Sequence, residues 1–167
     1  MYSRFTTLLF LILFSSSLHA EDRKNVLGLW ASEGSIFMIY EEAEQLHGEI
    51  IALDKAHYTA EERPDAVGQP RLDDNNPDEI LSKQPIVGLQ MFSAYEFDDG
   101  QWRGKIYDPE SGNTYQSKMK LSKKGKLEIR GYIGVPMFGR TSTFEPVSSC
   151  QPHIVEMLTA TEHQDQC

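Results

Sequence analysis

Leu127, Ile129, Gly131 and Ile133 alternate with Lys126, Glu128, Arg130 and Tyr132, and this period-two pattern is what most constrains how the chain can fold. Successive side chains of a strand point to opposite faces, so the alternation assigns one face to a core and the other to water. The same rule puts Trp102, Gly104 and Ile106 on one side of "QWRGKIYD" (101–108). It puts Tyr115, Ser117, Met119 and Leu121 on one side of "NTYQSKMKL" (113–121). The inward set mixes bulky residues with Gly and Ser, which fits either the taper of a filled small barrel or space left for a ligand.

Further β-rich runs flank these. "GLW" (28–30) opens the first, followed by "SIFMIY" (35–40), "LHGEIIAL" (46–53) and "IVGLQMFSAYEF" (86–97), with "MFGRTSTF" (137–144) last. The connections are short and carry turn residues: "DDG" at 98–100, "PESG" at 109–112 and "SKKG" at 122–125. Strands at this spacing, joined by hairpins, predict an all-β, up-and-down antiparallel sheet that closes as a barrel or folds as a sandwich. In the "PESG" hairpin, Pro109 fixes its own φ, Gly112 tolerates positive φ and Asp108 accepts hydrogen bonds from the turn. Ser111 has no neighbouring His to act as its base, so the polar run 108–113 reads as a bend and not a catalytic loop.

One long polar segment, 54–85, interrupts the hairpins. Asn76 suits an N-cap, Pro77 the first helical position and Glu79 the capping-box position, which predicts a short helix from Pro77 to Lys83, ended by Pro85. Asp74, Asn76 and Asp78 also open like a calcium loop. The sixth and twelfth positions, Glu79 and Pro85, do not continue it, and the capped helix accounts for the same residues. Beyond Val147, Pro152 can open a second helix with Ile154, Met157 and Leu158 on one stripe.

The first 20 residues place Arg4 before an apolar run from Leu8 to Phe14 and end in Ala20. That is the layout of a signal peptide, too short in its apolar part to span a bilayer. The expected organisation is therefore a signal peptide at 1–20, a barrel domain at 21–147 and a C-terminal tail at 148–167. Removing residues 1–20 leaves 15 basic against 25 acidic residues, a balance that disfavours nucleic acid. The lysines of "KMKLSKKGK" (118–126) read as a solvated hairpin that protects its strand edges. Cys150 and Cys167 are the two cysteines. In an oxidising compartment a disulfide between them is the expected state, worth about 3 kcal/mol by closing the tail. His153 and His163 give the tail zinc-like spacings, but oxidation of the thiols competes with metal. No metal site and no cofactor are expected.

Gly28 and Trp30 in "GLW", together with Arg140 in "FGRT", look like the Gly-x-Trp and late-Arg pairing by which lipocalins close one end of a barrel; an Arg over the indole gains cation–π attraction. With "DDNNPDEILSKQPIVGL" (73–89), "WRGKIYDPESGNTY" (102–115), "LEIRGYIG" (127–134) and "FGRTSTF" (138–144), the chain resembles domain-of-unknown-function family 2147, bacterial exported proteins. The resemblance implies a lipocalin-like β-barrel and carries over no catalytic residue. Many members have Cys where this chain has His47, some have Cys at Tyr132, and Phe144 replaces a frequent Trp. A redox role through barrel cysteines is therefore not implied.

The combined expectation is an exported protein, periplasmic or secreted, binding a small apolar or amphipathic molecule. Met91, Trp102, Ile106, Tyr115, Met119 and Ile129 are its candidate pocket residues. The alternatives are a cell-envelope protein-interaction module, acting through 54–85 or the tail, and a barrel enzyme such as an isomerase. The enzyme needs an inward titratable group, and the inward set contains no His, Asp or Glu.

Overall fold

The computed structural model describes residues 25–32, 34–147, 151–159, 161 and 163–166. The expected signal peptide and the Cys150–Cys167 disulfide lie outside them. The strands are β1 (Gly28–Ser32), β2 (Ser35–Glu42), β3 (Gln45–Leu53), β4 (Gln90–Asp98), β5 (Gln101–Asp108), β6 (Asn113–Leu121), β7 (Leu127–Tyr132) and β8 (Arg140–Pro146). Each pairs with the next in sequence and β8 returns to β1, giving a closed antiparallel barrel. The expected turns form: Asp99 and Gly100 both take positive φ at the β4–β5 hairpin, the backbone that a tight two-residue connection needs.

Several strand limits differ from the sequence reading, among them the last strand, which runs from Arg140 to Pro146 and not over 137–144. β4 begins at Gln90 and not at 86, because Gly88 takes φ 92° and its N–H donates to the Ile50 carbonyl at 2.7 Å. β7 stops at Tyr132, where Gly134 at φ 71° and a one-turn 3-10 element, Pro136–Phe138, turn the chain outward. The helix expected at 77–83 shrinks to the 3-10 turn Leu81–Lys83. Asn76 Oδ1 accepts the Asp78 N–H (3.0 Å), and Asp78 Oδ1 accepts those of Ile80 (2.8 Å) and Leu81 (3.2 Å). Two short polar side chains in succession capture backbone donors locally and hold the first turn out of helical geometry.

The barrel interior is filled. Trp30, Phe37, Phe92, Tyr95, Trp102, Met119, Ile129 and Phe144 belong to one buried cluster. The Phe37 ring packs edge-on to Phe144 at 5.2 Å and tilted against Phe92 at 5.7 Å. Phe92 and Tyr95 both point inward because a bulge at Ala94, φ 53°, inserts an extra residue into β4. Their rings lie over glycines of the neighbouring strands. A Cβ on Gly48 would sit 2.6 Å from the Phe92 ring, and one on Gly104 2.5 Å from the Tyr95 ring. The small inward residues thus seat aromatic rings in the space a ligand on the axis would need. Tyr95 Oη reaches across to donate to Ser117 Oγ at 2.7 Å, which satisfies a buried hydroxyl pair.

Helix α1 (Pro152–Thr159) docks outside the barrel. It buries Ile154 and Leu158 against Ile36, Ile51 and Ala52, the apolar stripe its sequence spacing predicts. Among the described residues no helix is long and apolar enough to cross a bilayer.

Candidate functional site

β1 has five residues and β8 has seven, and this mismatch opens a cleft at the seam of the barrel. The two strands pair only at Trp30↔Pro146 and Ala31↔Glu145, extended by the Val147 N–H donating to the Leu29 carbonyl at 3.0 Å. From Phe144 back to Arg140, β8 keeps β7 as its partner but runs past the end of β1. A cleft of about 1300 Å³ opens in this gap. Arg140, Thr141, Ser142 and Thr143, four consecutive residues, all line it, so it follows the edge of β8 and not one face. Leu53, Val87 and Ala52 supply apolar wall at the barrel end, while Met157 and His153 of α1 close the outer side.

The cleft is amphipathic. Arg140 carries the one fixed positive charge among the described residues that line it, and it is exposed. By alternation with Phe144 it stands on the inward face, as Ser142 does. Three carboxylates line it too, Asp54, Glu145 and Glu156, of which Glu145 is ion-paired with Lys126.

A polar network fastens the 54–85 segment over the same end of the barrel. Tyr107 Oη lies 2.9 and 2.8 Å from the carboxylate oxygens of Asp73, and Asn76 Nδ2 donates to the same carboxylate at 2.8 Å. Asn75 Nδ2 donates to the carbonyls of Pro109 (3.1 Å) and Glu110 (3.0 Å). Tyr58 Oη donates to Asp74 at 2.5 Å, with Arg63 and Arg71 at 4.7 and 5.4 Å from its ring centre. Desolvation and the hydrogen bond to Asp73 push Tyr107 up to about 12. Burial, with the Asp74 hydrogen bond, also raises Tyr58. The Arg71 guanidinium beside Glu62 holds that carboxyl down at about 2. The long polar segment is a built cover, not a free loop.

The residues singled out from sequence divide. Trp102, Met119 and Ile129 are buried core, Met91 and Ile106 pack on its margin, and none of these five lines the cleft. Tyr115 is half-buried beside a shallow depression of about 340 Å³ with Lys105 and Tyr132, and its hydroxyl meets Ser111 Oγ at 3.1 Å. As a pocket the six are corrected: alternation found the inward face, but rings from β4 fill it.

Gly28, at φ 108°, begins β1, and Trp30 is buried two residues on, where the indole Nε1 donates to the Val26 carbonyl at 2.9 Å. Arg140 does not stand beside Trp30, where it was expected. It begins β8 opposite Gly131, six residues before the Pro146 that pairs with Trp30, so about 20 Å of strand separates them. The "PESG" turn is as read: Asp108 accepts the Glu110 N–H (3.0 Å) and the Ser111 hydroxyl (2.7 Å). The cleft residues Ser142, Leu53 and Met157 were missed, since no side-chain pattern reports where two strands of unequal length part.

The family described as "Uncharacterized protein conserved in bacteria (DUF2147)" matches residues 28–145. The chain belongs to this family. The match runs from the first residue of β1 into β8, so the DUF2147 unit is the barrel itself and α1 lies beyond it. Among solved structures the chain is similar to protein HP1028 from the human pathogen Helicobacter pylori, described as belonging to the lipocalin family. The identity is 19%, the TM-score 0.56, and the alignment covers 72% of this chain and 81% of that one. At that identity the likeness shows the fold, a lipocalin-like barrel. The comparison with curated proteins gives no match.

Proposed function

We propose that this DUF2147 protein is exported and binds a small amphipathic molecule in the cleft between β8, the ends of β1–β3 and α1. The apolar part of the ligand lies along Ala52, Leu53, Val87 and Met157, and its polar head meets Arg140 and the other polar groups of the lining. The observation that carries this reading is the cleft: its size suffices for a lipid-like molecule, and its lining combines an apolar wall with charged groups of both signs, Arg140 and the carboxylates of Asp54, Glu145 and Glu156. The leader-like first 20 residues support export, to the periplasm or beyond.

Native mass spectrometry of the protein after incubation with a total lipid extract tests the proposal, with Ser142→Trp filling the cleft. An adduct retained by the wild type and reduced about tenfold in the variant is the expected result. Equal retention by both, or none by the wild type, overturns it.

A further inference from the structure

The connection from β7 to β8, "GYIGVPMFG" (131–139), contains no charged residue and is bracketed by Arg130 and Arg140. Its large side chains face solvent: Ile133 is 76%, Met137 77% and Phe138 78% exposed, with Val135 at 51%. Four such groups on one turn form a patch that a soluble surface ordinarily avoids. The turn is held in shape. Arg130 donates through Nε to the Pro136 carbonyl (2.7 Å) and through Nη2 to that of Met137 (3.1 Å), while Nη1 meets Thr141 Oγ1 at 2.9 Å. Its apolar tip is therefore presented by a folded 3-10 turn.

Behind the tip stand Tyr115, Tyr132 and Lys105, grouped around the shallow depression that Ile133 also lines. An apolar tip flanked by phenol rings and fixed cations matches the groups met between the hydrocarbon of a bilayer and its phosphates.

We propose that the 133–138 turn inserts into the surface of a lipid bilayer, with Arg140 and Lys105 facing the headgroup phosphates and Arg130 holding the turn. Arg140 also lines the cleft, so insertion brings the cleft mouth to the membrane surface. The proposal stands without a bound ligand and does not rest on the ligand reading.

The test uses the full chain carrying Phe138→Trp. The two native indoles are buried, so a solvent-facing reporter at the tip is distinct from them. Vesicles of phosphatidylcholine and phosphatidylglycerol, roughly three to one, are expected to shift its emission to the blue, and bromines carried on the acyl chains to quench it. Met137→Asp, placed on the reporter, is expected to weaken that response at least about tenfold, since a charge in the interface opposes insertion. Ser142→Trp is expected to leave vesicle flotation unchanged, which separates this proposal from the ligand reading. Emission unaffected by vesicles overturns insertion. So does a blue shift that appears without lipid and grows with protein concentration, which would assign the patch to a second copy of the chain.

Discussion

Tyr107 Oη sits between the two carboxylate oxygens of Asp73, at 2.9 and 2.8 Å, and shares its one proton across them. Asp73 is 1% exposed, so this contact and the 2.8 Å bond from Asn76 supply what a buried carboxylate otherwise lacks. The pair joins β5 to the long segment between β3 and β4, 34 residues apart in sequence. It makes that segment part of the barrel's loop end.

Removing the hydroxyl leaves a buried acceptor short of a donor. Tyr107→Phe is therefore expected to lower stability by about 1–3 kcal/mol in urea unfolding. Backbone amides of 71–76 are expected to exchange faster, with those of β6 and β7 unchanged. A variant with wild-type stability and wild-type exchange at 71–76 would show that the contact fastens nothing.

The same pair sets an alkaline limit. Tyr107 rises from 10.0 to about 12 in the folded protein, so the folded state holds its proton more tightly than the unfolded chain. That contribution is complete below pH 10.0 and is lost as pH climbs through about 12. Tyr58 is shifted in the same direction. Unfolding midpoints followed through this window are expected to fall less steeply in Tyr107→Phe than in the wild type.

Gly104 has no space for a methyl group, since a Cβ would meet the Tyr95 ring at 2.5 Å and the Ser93 carbonyl at 2.8 Å. The ring is pinned by its bond to Ser117. Gly104→Ala is expected to cost about 1–3 kcal/mol by overpacking, measured by chemical denaturation. Gly100→Ala also lacks a tolerant backbone, at φ 75°, but nothing stands within 4 Å of its Cβ. It is expected to be the milder change.

Leu158 is fully buried beneath α1, with Ile36, Ile51 and Ala52 beneath it. Leu158→Ala removes apolar contact worth about 2–5 kcal/mol where the site does not collapse. α1 caps a barrel complete without it. The expected result is faster proteolysis at 151–159 and loss of one cleft wall, with near-ultraviolet circular dichroism of the core unchanged.

The barrel was legible because hairpin spacing and alternation are local signals, and both survive in β5, β6 and β7 without a bulge. The stripe of α1 was legible for the same reason. What decides whether the interior is empty was not. Gly104 and Ser117 read equally as void or as seat, and the ring that fills the seat is turned inward by a bulge at Ala94 that breaks the alternation of β4. Arg140 was misplaced because residue type alone does not fix height along a barrel; the pairing of Trp30 with Pro146 does. The cleft follows from the shortness of β1 against β8, a property of two strands together and of neither side-chain pattern.

The central claim, that this barrel has a filled axis and takes its ligand at the β8 seam, is tested most directly through its methionines. Met119 lies in the core, Met157 in the cleft wall and Met137 on the exposed turn. In a protein labelled with carbon-13 at the methionine methyls, titration with an amphiphile retained from the lipid extract is expected to move the Met157 resonance and leave Met119 where it was. Movement of Met119 with Met157 unaffected would place the ligand on the barrel axis and contradict the account.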